Sequence, residues 1–156
     1  MNPSEVSALE ARINVIGWAL CFGVPVIVAA VIWLVLEPQR AGKPTNPEAE
    51  LFQYLLLAIA LIEIPVGIMM KRLTLAGKLK PRYQGAGPAT PKTIVQRAYL
   101  IGYACMAAGA MYALAAHLVG GNFAWAMAML IIPPVGYLII RPKGDEVESA
   151  WRQLSS

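Results

Sequence analysis

One acid sits where acids are expensive. Glu63 lies in the apolar run 51–70, and the comparable runs 13–36, 98–119 and 123–140 hold no Asp, Glu, Lys or Arg at all. An ionised carboxylate in hydrocarbon costs about 3 kcal/mol or more, so an acid inside a membrane helix is a functional-site candidate by default. Pro65 follows two residues later. A mid-helix proline kinks the helix and frees the carbonyl four residues back, here that of Leu61. A carboxyl, a free carbonyl and a kink within one turn suit a proton or cation site. The competing reading is a structural glutamate that ties helices together by hydrogen bonding. Counting from Met70 at the rise of an α-helix, Glu63 lies about 10–12 Å inside the span. Trp18 and Tyr103 fall at the same depth on the first and third spans, each with a polar tip on an aromatic body, and they are the expected neighbours.

His117 is the single histidine. Its setting, Ala113-Leu114-Ala115-Ala116-His117-Leu118, resembles the Ala-x-x-x-His pattern of bacterial light-harvesting helices, which implies a ligand for a bacteriochlorophyll magnesium. Those proteins have one span and this chain has four. One histidine also cannot supply both axial ligands of a b-type haem. The competing reading, a polar anchor near the membrane surface, leaves no cofactor expected. Cys21 and Cys105 both fall inside apolar runs, in one layer, without metal-ligand spacing, and read as small packing residues. No phosphate-binding glycine loop, zinc motif or nucleophile beside a base is present, so nothing points to an enzyme.

The elements that must position these residues follow from composition. Of 156 residues, 58% are hydrophobic and 14% charged, whereas soluble domains carry about 25% charged residues. A bilayer span needs roughly 20 apolar residues. The four runs therefore define an all-α integral membrane protein with a single domain over 1–156 and spans at about 13–36, 51–70, 98–119 and 123–140. The short Gly120-Gly121-Asn122 turn and the segment 37–50 suggest two helical hairpins. The first run is too long for the core of a cleaved signal peptide and is preceded by the mildly acidic segment 1–12.

Charge sets the orientation. The segment 71–97 carries Lys71, Arg72, Lys78, Lys80, Arg82, Lys92 and Arg97 without one acid. Lys and Arg accumulate on cytoplasmic loops, so this linker and both termini are expected inside, in a bacterial inner membrane. The net charge of +4 is thus a membrane signal and not one for nucleic acid. Next to an anionic leaflet these cations are expected to contact lipid headgroups, at roughly 1 kcal/mol each.

Short amphipathic helices are expected at both termini. Val6, Leu9 and Ile13 recur at helical spacing, on a face expected to lie along the headgroups. Val147, Trp151 and Leu154 share a face that would rest on the membrane or on a partner. A faint parallel repeat relates Arg12-Ile13-Asn14-Val15-Ile16-Gly17-Trp18 to Arg97-Ala98-Tyr99-Leu100-Ile101-Gly102-Tyr103. Pro65-Val66-Gly67 recurs as Pro134-Val135-Gly136. Length and duplication invite comparison with the two-hairpin proteolipids of rotary ATPases, but the dense glycine packing of those helices is missing here.

Three functions fit this sequence: an accessory subunit in a larger membrane complex, in contact with other membrane subunits or with itself; a small oligomeric proton- or cation-coupled transporter or channel built on Glu63; and a pigment or cofactor carrier using His117. Scarcity of polar groups favours the first, because a transport path needs several of them facing a cavity.

Overall fold

The structure, a computed structural model, describes residues 3–40, 47–76 and 90–155. These residues form five helices and, among them, no strand: α1 (Ser4–Arg40), α2 (Pro47–Leu75), α3 (Pro91–Leu118), α4 (Phe123–Ile140) and α5 (Gly144–Ser155). The first four are long and apolar enough to cross a membrane.

Prolines interrupt the regular ladder in two of the four apolar helices. In α1 the turns Ala19–Gly23 and Ile32–Leu36 are π-helical, with Val24 N–H reaching the carbonyl of Ala19 and Glu37 N–H that of Ile32. Each π-turn ends two residues before a proline, Pro25 or Pro38, whose ring would press on the carbonyl of Cys21 or Leu34 in a regular ladder. In α4 the ladder tightens instead: Leu130 N–H bonds the carbonyl of Met127 and Ile131 N–H that of Ala128, just before Pro133 and Pro134. Pro65, expected to break the helix beside Glu63, leaves it continuous: α2 runs through that position as α-helix from Pro47 to Leu75.

The N-terminal segment does not form a separate helix. It continues unbroken into the first span, and the 37 residues of α1 extend about 55 Å, well beyond a hydrocarbon core of roughly 30 Å. The excess is covered by α5. Leu9 and Ile13 are buried in one cluster with Val95, Tyr99, Val147 and Ala150, with Val6, Trp151 and Leu154 packed against it. The two apolar faces expected at headgroups or on a partner are thus spent, in large part, on each other.

The spans pack around α3, which lies against α1, α2 and α4, while among the described residues α1 and α2 make few direct contacts. That geometry differs from two equivalent hairpins, because an internal twofold would pair α1 with α2 as it pairs α3 with α4. The α3–α4 turn is tight, with Gly120 at φ 102°, a left-handed conformation that glycine adopts without strain.

Close approach in the half of the bundle nearer the termini depends on small residues. Gly67 on α2 faces Gly102 on α3, where an added Cβ would stand 3.4 Å from the Gly102 carbonyl. Gly17 seats the ring of Tyr103, itself fully buried between Tyr99 and Tyr137. A methyl on Gly17 would overlap that ring, whereas one on Gly23 meets nothing within 4 Å. Gly17→Ala is therefore expected to destabilise the bundle by about 1–3 kcal/mol, and Gly23→Ala by less than about 0.5 kcal/mol. Denaturant titration in detergent micelles, followed by tryptophan fluorescence, measures both.

Candidate functional site

Polar side chains collect at three levels: one pair within the membrane span and one cluster at each end. Glu63 leads the middle level. Its Oε1 accepts a hydrogen bond from the Tyr112 hydroxyl of α3 at 2.6 Å, and its Oε2 is buried with no hydrogen-bond partner. The short distance marks a strong bond in a low-dielectric setting. The expected neighbours are elsewhere. Tyr103 faces Gly17 and Tyr137, and its own hydroxyl is buried without a partner. Trp18 is 59% exposed and stacks on Phe22 at 5.0 Å. The expectation missed because α1 sits on the opposite side of α3 from Glu63. Tyr112 lies nine positions after Tyr103 in the chain, which on an α-helix is half a revolution away. Being nearer the middle of the span, it escaped a search by equal depth.

At the end that carries the termini, Lys71 is buried rather than reaching lipid. Its Nζ lies 2.8 Å and 3.1 Å from the two carboxylate oxygens of Glu146 on α5. It also approaches the Ile140 carbonyl at the end of α4 at 3.5 Å and stands 4.7 Å above the Tyr99 ring. The Tyr99 hydroxyl in turn donates to Glu146 Oε2 at 2.9 Å. One ammonium thus joins α2, α3, α4 and α5. Of the other cations expected at headgroups, Arg72, Lys92 and Arg97 are exposed; Lys78, Lys80 and Arg82 lie outside the described residues.

At the far end Arg40 closes the bundle. It donates through Nη1 to the carbonyls of Gly121 (2.8 Å) and His117 (3.2 Å), and through Nη2 to that of Gly120 (2.9 Å). These carbonyls belong to the α3 C-terminus and its turn, that of His117 also accepting the Gly120 N–H at 3.1 Å, and a cation there complements the helix dipole. Gln53 of α2 holds the same turn from the other side, accepting from Asn122 N–H at 2.8 Å and donating to its carbonyl at 2.9 Å. His117 is fully buried beneath this clasp. Its Nδ1 lies 3.5 Å from Arg40 Nη1, its Nε2 3.5 Å from Glu37 Oε2, and Phe123 meets the ring edge-on. The histidine is therefore enclosed by protein on both ring nitrogens, and a planar pigment would have to displace Arg40 or Glu37 to reach it.

Among the described residues, no group of three His, Cys, Asp or Glu side chains is placed to hold a metal ion. Cys21 and Cys105 are free thiols. The Glu63–Tyr112 pair can hold a proton or accept a donor, yet on its own helix the side chains from 64 to 70 separate it from Lys71, and those from 54 to 62 separate it from Gln53. Apart from the Tyr54 hydroxyl these are apolar. Compared with protein-family models, curated proteins and solved structures, the chain matches none.

Sequence reasoning missed both end clusters. A signal existed for each. Lys71 abuts an apolar run while Glu146 follows the last span at the same end, and Arg40 ends the first run opposite a glycine turn with free carbonyls. Removing one partner of a buried ion pair leaves the other charge uncompensated. Lys71→Met is expected to cost about 1–3 kcal/mol, discounted because Glu146 is 35% exposed, and Glu146→Gln less. In a double-mutant cycle the pair should couple by about 1 kcal/mol, and limited trypsin digestion should cut α5 at Arg152 faster in either variant.

Proposed function

We propose that this protein is an accessory subunit of a larger membrane complex, with both termini and the basic linker on the cytoplasmic side of a bacterial inner membrane. One observation carries the reading: the fourth side of α3. Around that helix Tyr103 turns to α1, Tyr112 to α2, and Gly102 and Gly109 to α4. Between α1 and α2 remains the strip Ala104, Ala108, Met111, Ala115 and Leu118, of which Ala104, Met111 and Leu118 are exposed. Its spacing of four and three residues is that of a helix-packing seam, and small side chains let a neighbouring backbone come close. A central helix left open on such a face suits a helix from another subunit.

The polar groups support the same reading. Lys71, Arg40, Gln53 and Glu146 are engaged in holding this chain together, and His117 belongs to the Arg40 clasp, so we assign it a structural role without a cofactor. The exposed cations Arg72, Lys92, Arg97, Arg141 and Lys143 all lie at the end of the termini, which supports the cytoplasmic orientation and contact with anionic headgroups.

The second reading, a proton- or cation-coupled carrier, has one observation in its favour, the unpartnered Oε2 of Glu63. A photocrosslinking residue at Met111 separates the two in native membranes. The accessory role predicts a discrete adduct with a different membrane polypeptide, and none from Leu138, an exposed position on α4. Lipid adducts alone at Met111 would count against it. In liposomes the carrier reading requires a cation or proton flux that Glu63→Gln abolishes; the accessory reading predicts flux no greater than that of empty vesicles.

A further inference from the structure

The far-end clasp contains its own proton sensor. Nδ1 of His117 stands 3.5 Å from Arg40 Nη1, whose two protons go to the carbonyls of Gly121 and His117, so a ring nitrogen that close to a guanidinium is favoured without a proton. The ring proton of the neutral imidazole then sits on Nε2, aimed toward Glu37 Oε2 at 3.5 Å, a distance too long for a hydrogen bond and with no other partner nearby. Arg40 and Glu37, both on the last turn of α1, are the charged groups that act on the ring. From α2 the turn meets Gln53, which is neutral and occupied by Asn122, and Glu48, a carboxylate that lines a surface cleft with Val119; α4 presents the apolar Phe123.

We propose that His117 is an acid-sensitive latch, whose protonation loosens α1 from the α3–α4 turn. A proton added at Nδ1 removes the lone pair that faces Arg40 and leaves two cations 3.5 Å apart. The same proton strengthens attraction on the other side of the ring, toward the Glu37 carboxylate. Glu37 is three positions before Arg40 on one helix, so drawing the ring to Glu37 and repelling Arg40 rotates the last turn of α1 against the α3–α4 turn. The side chain of Glu37 is 41% exposed and gives the buried ring a route to solvent protons. The sign follows: the closed form accommodates the neutral ring and the open form takes up the proton, so closure is held at neutral pH and lost as pH falls through the imidazole range, near 6.5 for a free ring.

The experiment uses full-length protein in lipid nanodiscs, with Cys21 and Cys105 replaced by alanine and spin labels on the exposed positions Gln39 and Ala124. At pH 7.5 pulsed electron–electron resonance should give one narrow distance distribution. At pH 5 it should broaden and lengthen by several ångströms. His117→Gln keeps a hydrogen-bond acceptor for Arg40 but cannot be protonated, so its distribution should be narrow at both pH values; Arg40→Gln should be broad at both. Glu37→Gln removes the carboxylate that favours the imidazolium and should move the midpoint to lower pH by about half a unit or more. If His117→Gln fails to fold, that midpoint decides, and an unchanged midpoint overturns the proposal. So does a wild-type distribution identical at pH 7.5 and 5, or a His117→Gln protein that opens with acid as the wild type does.

Discussion

A buried ammonium sets much of the architecture. Lys71 is 6% exposed, and a cation removed from water is tolerated only when paired and hydrogen-bonded. Its partners come from three other helices: Glu146 on α5, the Ile140 carbonyl on α4 and the Tyr99 ring on α3. Satisfying one charge therefore brings the C-terminal helix back onto the bundle. That return covers Leu9 and Ile13, which lets α1 continue as a single helix past the membrane core instead of turning along its surface. Alanine at Lys71 would remove more than a salt bridge, since the positions of α5 and of the first turns of α1 both follow from it.

The far end repeats the principle with different chemistry. There the groups to be held are backbone carbonyls at the C-terminus of α3 and in the turn after it, and Arg40 supplies several donors in one planar fork. Between the two clasps the bundle is held by shape: Gly17 against Tyr103, Gly67 against Gly102, and α3 enclosed on three sides. Polar interactions at the ends define the register of the helices, and close packing between them supplies the contact area. This division also explains why Glu63 stands apart, since its Tyr112 partner joins only α2 to α3.

The helical class and the four long helices were legible because apolar runs of about span length leave few alternatives in a chain with so little charge. The amphipathic segments at both ends were legible from their spacing, though what they cover was not: Val147 and Leu9 read equally well against lipid. Pairing of helices was legible least. Adjacency in the chain suggested that α1 pairs with α2, whereas the large contact surface of α2 lies on α3, a choice made by glycine positions and end clasps that no local pattern reveals. For Glu63, rarity in an apolar run picked out the residue, but matching depth alone selected Tyr103 and Trp18. Rotation about α3 decides the partner, and it favours Tyr112.

The function proposed above rests on a bundle whose buried cation Lys71 and part-buried Arg40 are held internally, and whose central helix keeps one small-residue face uncovered: features that suit assembly more than passage of a substrate. Extraction of the protein from its native membrane in mild detergent, followed by native mass spectrometry, addresses that claim most directly. The account predicts a stoichiometric assembly containing other membrane polypeptides. A population of isolated monomers, or of homo-oligomers alone, would contradict it.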